Sequence, residues 1–371
     1  MHSAGDPDKG FAEADAVVEA TFMFGRHTGV CNEPRAVVAD WNPGEQRLTA
    51  YHATQAPHMM QNLFAKHLSL EEHQVRVVTK DVGGSFGIKV HTYADEMATV
   101  ALSKLLKRPI KFVADRIESF VTDIHARDHR VTGKIGVKSD GTITAFEIDA
   151  LSGIGPYSVY PRTSGIEANQ IVNLVGGPYT CKNYKARARV VFQNKNVMCQ
   201  YRAVGHPIAT AVTEGLVELA AAKIGMDPLE IRRRNLIADD AHPSQGPSGI
   251  KFEALSNHSA LANLDAMMNY AGLRAEQQKL RKQGIYRGIG FATFVEVTNP
   301  SAAFYGVGGA KISAQDGATV RLDATGAISC HTGVSEQGQG AEAVIAQCVA
   351  TSFGVPMEKV QIGRASCRER V

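Results

Sequence analysis

No apolar run in the 371 residues approaches the length needed to span a bilayer. Charge of one sign is not in excess either. Lys and Arg number 40 against 37 Asp and Glu, a net of +3, so there is no electrostatic footprint for nucleic acid or a membrane surface. The N-terminus, Met1-His2-Ser3-Ala4-Gly5-Asp6, has neither the basic nor the apolar region of a signal peptide. The six cysteines (Cys31, Cys181, Cys199, Cys330, Cys348, Cys367) are scattered, with no Cys-x-x-Cys and no Cys/His cluster. That excludes the usual zinc frameworks and an iron–sulfur cluster held by this chain, and it fits a reducing compartment, the cytoplasm. What remains is an ordinary globular composition, long enough for two domains with large cores.

The periodicity predicts mixed helix and strand. Phe11–Ala20 is short and amphipathic, and Thr21–Phe24, Ala36–Asp40 and Arg47–Ala53 read as strands. Pro57 suits a first helical turn, with an apolar face through Met59, Leu63 and Leu68. Gln74–Val78 is β-branched, Met97–Leu106 has helical spacing, and Ile110–Ala114 is a strand. Asp115–His129 has no clear pattern. Arg130–Val137 and Thr142–Ala150 flank Asp140-Gly141 as a hairpin. Gly153–Pro161 reads as a cleft-lining loop or a plain turn, followed by strands at Tyr184–Gln193 and Val197–Tyr201. Ile208–Ile224 is an alanine-rich helix ended by Gly225. Asp227-Pro228 opens another helix, whose Arg232-Arg233-Arg234 reads as a solvated, dipole-complementing end. Leu261–Gln283 is helical, Arg287–Val297 strand-like, Thr319–Leu322 with Ala327–Thr332 a hairpin, and Ala341–Phe353 an apolar helix.

Four positions stand where a strand gives way to a helix. They are Gln55 in Thr54-Gln55-Ala56-Pro57, Phe86 in Gly83-Gly84-Ser85-Phe86-Gly87, Arg202 in Tyr201-Arg202-Ala203-Val204-Gly205, and Gln339 in Glu336-Gln337-Gly338-Gln339-Gly340. One glycine loop alone is most simply a turn that needs glycine for its dihedrals. Four such junctions together offer backbone amides, primary amides and a guanidinium, with no base, nucleophile or protein metal ligand among them. Those donors suit a large, anionic, oxygen-rich cofactor and not a hydrolase. The Gly-Lys-Ser/Thr of a phosphate loop and the spacing of a dinucleotide fingerprint are both missing, which disfavours an unrelated nucleotide-binding protein.

These segments, with Asp227-Pro228 to Arg234-Asn235-Leu236, resemble in order the molybdenum-binding large subunit of the xanthine dehydrogenase / aldehyde oxidase family, across residues 10 to 361. The resemblance implies an α+β (mixed) fold of two molybdopterin-binding domains of the aldehyde oxidase type, the second incomplete. The expected limits are 10–240 for the first domain, 241–255 for a linker and 256–361 for the second. It implies hydroxylation of an aldehyde or N-heterocycle with oxygen from water, and a molybdenum–molybdopterin cytosine dinucleotide cofactor whose metal is held by the pterin dithiolene. Iron–sulfur and FAD subunits would take the electrons, this chain carrying neither group. Gln55 would face the metal's oxo ligands, and Gly84, Ser85, Phe86 and Gly87 would pack beside the metal centre. Arg202 and Ala203 would border cofactor and substrate, with Ala203 and Val204 lining the substrate pocket. Gln337, Gly338, Gln339 and Gly340 would bind the pterin or its phosphate.

Departures from the family pattern narrow the reading. Carbon monoxide dehydrogenases carry a cysteine where Ala203 stands, which argues against carbon monoxide chemistry. Purine oxidisers often place phenylalanine at the position of Val204 and glutamate near that of Val90, so an aldehyde or another heterocycle is favoured. The family's general-base glutamate is expected beyond the chain end, so this fragment is expected to be inactive. The amino-terminal domain that usually precedes Phe11 is likewise expected to be missing. A non-catalytic homologue that keeps the fold as a binding or scaffold module is the alternative. Residues 362–371, IGRASCRERV, are what a common sequencing-adapter sequence encodes, and are expected to be an artefact. Sequencing the parent gene through this point tests that, since an in-frame continuation with the same residues refutes it.

Overall fold

The computed structural model describes residues 1–296 and 317–363. Two mixed sheets form the first part of the chain. The larger is built from β1 (His2–Ala4), β2 (Ala16–Phe24), β7 (His129–Val137), β8 (Ile143–Gly153) and β9 (Tyr184–Val191), in the order β1-β9-β8-β7-β2. The smaller is β3 (Ala36–Asn42), β4 (Arg47–His52), β5 (Val75–Val78) and β6 (Ile110–Val113), ordered β5-β4-β3-β6. Helix α1 (Pro7–Ala12) opens the chain, and α2 (Pro57–Leu68) and α3 (Ala94–Leu106) lie on the smaller sheet. Met60, Phe64 and Val100 seal a core there with Trp41, Leu48 and Val77. Helices α4 (Arg116–Thr122) and α5 (Ile166–Leu174) follow. α6 (His206–Ile224) packs with α5 over the larger sheet, where Val212 and Leu216 meet Val131, Ile135 and Ile148. α7 (Pro228–Asn235) completes this part.

The remainder is a two-residue ribbon of β10 (Ser244–Gln245) and β11 (Lys251–Phe252), helices α8 (Asn257–Met268) and α9 (Tyr270–Arg281), and a third sheet. That sheet is β12 (Ala318–Leu322), β13 (Ile328–Thr332) and β14 (Val360–Gly363), with α10 (Ala341–Phe353) between its last two strands.

Three crossovers repeat one device. β4 pairs with β5 in parallel through α2, β8 with β9 through α5, and β13 with β14 through α10. A parallel neighbour needs a helical crossover. The strand-to-helix loops of such units lie at the carboxyl ends of the strands, where open α/β sheets place their ligands.

Several expectations from the sequence are corrected. Phe11–Ala20 is divided between α1 and β2, which runs from Ala16 to Phe24 as one strand. Residues 116–122 are helical because Asp115 and Glu118 close a reciprocal capping box. Val197–Tyr201 forms no strand, and Met198 makes a single bridge to His125. The helix expected over 261–283 breaks at Asn269, which adopts φ 49°. Residues 287–296 form no strand, since their polar groups bond to helices. Phe291 O accepts from Arg232 at 3.2 Å and Arg287 O from Gln277 at 2.6 Å. Arg232 is buried against Glu214 at 2.8 Å, so only Arg233 and Arg234 of the triplet are solvated. Within residues 241–255, Ser248 Oγ donates to Asn173 O of α5 at 2.5 Å. Val297 and residues 364–371 lie outside the described residues.

Candidate cofactor and substrate site

All four junction loops meet. Gly87 N–H donates to Gln55 Oε1 at 3.1 Å, and Arg202 N–H to Phe86 O at 2.9 Å. Val82 N–H donates to Glu336 O at 3.0 Å, and Ser335 Oγ to Gln55 O at 3.2 Å. Ser85 Oγ also contacts Gln337 Oε1. Together the loops wall a cavity of about 1030 Å³, within the size range of small-molecule and cofactor sites. Gln55, Gly84, Ser85, Phe86, Gly87, Arg202, Ala203, Val204, Gln337, Gly338 and Gln339 all line it. Gly340 does not, and instead begins α10.

Backbone conformation concentrates strain here. Phe86 and Ala203, neither of them glycine, hold φ values of 50° and 70°, a left-handed conformation that costs on the order of 1–3 kcal/mol and persists only where the surroundings impose it. Gly87 has φ 96°, and a Cβ there would lie 2.8 Å from Gln200 O, so both its dihedral and its space demand glycine. The turn leaves the Phe86 ring 41% exposed, turned toward the cavity instead of a core.

The donors are not all equally available. Gln55 uses its amide oxygen on Gly87, which leaves its NH₂ at the cavity wall. Gln339 is folded back, with its oxygen accepting from Gln337 N–H at 2.6 Å and its NH₂ donating to Ser335 O at 2.8 Å. The amides at the start of α10 are claimed by Glu336, whose carboxylate accepts from Gly338 at 2.9 Å, Gly340 at 3.0 Å and Glu342 at 3.1 Å. Desolvation pushes that carboxyl up, but the amides outweigh it and hold it below the ordinary range.

Behind the Tyr201–Gly205 loop lies a buried charged cluster. Glu167 pairs with Arg127 through its Oε1 and with His129 Nε2 at 2.9 Å, and it accepts Gly205 N–H at 3.3 Å. Arg127 Nη2 donates to Arg202 O at 2.5 Å, and its guanidinium lies over the Tyr201 ring. His91 is buried near the backbones of Gly87 and Gln200, and desolvation lowers its pKa to about 3.

The cavity has further walls that the sequence reading did not identify. Arg162 and Thr163 come from the loop before α5, and Gln200, His206 and Glu296 also line it. The Gly153–Pro161 loop was flagged as a cleft wall, but the contributing residues follow it. Helix α5 carries Asn169, Gln170 and Asn173 among buried apolar residues, and no capping side chain or proline marks its start. Taken together the cavity offers guanidinium and amide donors beside apolar surface from Phe86, Val90, Val204 and Ile166. That donor set fits an anionic, oxygen-rich group next to a planar organic one.

Residues 1–236 and 263–368 each match the molybdopterin cofactor-binding domain family. The chain belongs to the molybdenum-binding large subunits of the xanthine dehydrogenase / aldehyde oxidase family. It is 32% identical over 361 residues to the nicotine 6-hydroxylase large subunit of Paenarthrobacter nicotinovorans, covering 97% of this chain and 44% of that one. To the carbon monoxide dehydrogenase large chain of Hydrogenophaga pseudoflava it is 29% identical, over 96% of this chain and 45% of the other. Quinoline 2-oxidoreductase from Pseudomonas putida 86 superposes with a TM-score of 0.93 at 30% identity, over 99% of this chain and 47% of that one. The chain thus spans a little under half the length of these relatives. Among the described residues, no helix of this large-subunit fold is long and apolar enough to cross a membrane.

Proposed function

We propose that this large-subunit chain forms the cofactor and substrate cavity of a cytoplasmic molybdenum hydroxylase acting on an aldehyde or N-heterocycle. The observation that carries this reading is the convergence of four strand-to-helix loops on one cavity, donor-rich on one side and apolar on another. The cofactor is the cytosine dinucleotide form of molybdopterin, and electrons leave to iron–sulfur and FAD subunits. Bound there, molybdopterin supplies the redox chemistry, with water as the source of oxygen.

The chain's own residues bind and orient. With the cofactor bound, the Gln55 NH₂ would donate to its anionic oxygen, and the guanidiniums of Arg202 and Arg162 would neutralise it. Gly84, Ser85, Phe86 and Gly87 form the close-fitting wall, and the Phe86 ring excludes water from the substrate side. Gln337, Gly338 and Gln339 shape the adjoining wall. Ala203 and Val204 border the substrate. A methyl at 203 provides no metal ligand and valine at 204 no stacking ring, which argues against carbon monoxide and disfavours a purine.

Expression in a host that makes molybdopterin, followed by metal and pterin analysis, tests this. Stoichiometric molybdenum and pterin, with cytosine monophosphate released by acid, is the expected result. A metal-free, pterin-free protein from a host whose other molybdoenzymes are loaded refutes the reading.

A further inference from the structure

The wall opposite Phe86 contains an unusual pair. His206, the first residue of α6, is 5% exposed. Its Nδ1 lies 2.8 Å from Ala203 O and 3.3 Å from Val204 O. A carbonyl oxygen only accepts, so Nδ1 carries the proton. In the neutral ring Nε2 is then a bare lone pair, and that atom is buried with no partner. A buried polar atom without a partner is costly, and this one has no accessible surface, so it is not offered to a molecule in the cavity. Glu296 lines the same cavity, its Oε1 3.9 Å from His206 Nδ1 and its side chain 43% exposed.

Glu296 is held there by neighbours in the first domain. Three residues earlier, Thr293 Oγ1 donates to Glu214 Oε1 at 2.9 Å and meets Tyr179 OH at 2.8 Å. Phe291 O is bonded to Arg232. The buried Glu214–Arg232 pair therefore sets the register that brings Glu296 to the cavity. The result is a half-exposed carboxylate facing the same space as Phe86, Val204 and Ile166, beside the Nδ1 edge of a buried imidazole.

We propose that Glu296 is a specificity-determining residue that selects a planar substrate presenting an N–H group, and most strongly a protonated nitrogen. This rests on the molybdenum hydroxylase reading for the word substrate, and on the cavity alone for binding. The ring packs on the apolar wall while its N–H donates to Glu296. The rival anchors are the guanidiniums of Arg162 and Arg202, which would select a carboxylate instead.

Three isosteric probes separate these outcomes: benzamidine, a cation with N–H donors; benzamide, neutral with N–H donors; and benzoate, an anion with none. Binding to the 371-residue chain is measured by calorimetry. Benzamidine is expected to bind at least about tenfold more tightly than benzamide, and Glu296→Gln to erase that gap. Benzoate binding most tightly, no probe binding, or a benzamidine-to-benzamide ratio unchanged in E296Q overturns the proposal. The wild-type ratio stands as a test even if a variant misfolds. Pterin analysis of the same preparations keeps the two readings apart. The expected ratio without pterin sinks the hydroxylase and spares the wall, and pterin with the wrong ratio does the reverse.

Discussion

The amide oxygen of Gln55 and the backbone N–H of Gly87 are 3.1 Å apart, joining the loop before α2 to the glycine loop 32 residues later. That bond fixes which end of Gln55 is left for the cavity. Gln55→Glu keeps the acceptor for Gly87 but replaces the NH₂ donor with negative charge. It should leave the thermal midpoint nearly unchanged while sharply lowering pterin content. Gln55→Leu removes both functions and should also cost about 1 kcal/mol of stability, from the lost hydrogen bond. Equal pterin content in wild type and Gln55→Glu would show that this side chain does not face the cofactor.

Gly87→Ala is a test of strain. Its Cβ would lie 2.8 Å from Gln200 O at a φ of 96°, with main chain and not a flexible side chain in the way. The expected cost exceeds 1 kcal/mol, read as a lower urea midpoint. Gly225→Ala, where φ is 71° but nothing lies within 4 Å, should cost less.

Charge burial separates neighbours in the arginine triplet. Arg232→Ala leaves Glu214 buried without its cation and should cost about 3–5 kcal/mol. Arg233→Ala and Arg234→Ala remove half-exposed pairs with Glu230 and should each change stability by less than about 1 kcal/mol. Denaturant titration of the three variants reads the difference. Arg232→Ala should also weaken benzamidine, because it frees the segment that carries Glu296.

Acid should loosen the site. Burial holds His91 at a pKa of about 3, against an ordinary 6.5. Between those values the unfolded chain takes up a proton that the folded chain refuses. Unfolding free energy contributed by this group is therefore complete above pH 6.5 and is lost as pH falls below it, by up to about 1.4 kcal/mol per unit. Urea unfolding from pH 7.5 to 5 should show the slope, and His91→Gln should flatten it by that amount. A parallel pH dependence in the two proteins would disprove the assignment.

Much of this architecture is legible in the residues. The hairpin at Asp140-Gly141 and the helices opened by Pro57 and Asp227-Pro228 depend on local dihedral and capping preferences, and the structure contains them. The four junctions could be picked out because a strand-to-helix change of period is local too. Helix α5 and the course of 287–296 were not legible, because the partners that decide them are remote in sequence: residues 287–296 alternate like a strand, yet Arg287 O and Phe291 O are taken by Gln277 and Arg232. The burial of Arg232 depends on Glu214, 18 residues away on another helix.

The sequence by itself determined the local units and the chemical kinds of donor that the loops carry, since turns, caps and periodicity act over a few residues. Only the tertiary structure decided which donors stay free. Gln55 keeps its NH₂ because Gly87 arrives at its oxygen, the amides of Gly338 and Gly340 are spent on Glu336, and His206 and Glu296 meet at one wall because Glu214 and Arg232 hold Thr293 and Phe291. The reason is physical. A hydrogen-bonding group can be assigned only when every competitor for it has a position, and those competitors come from all along the chain.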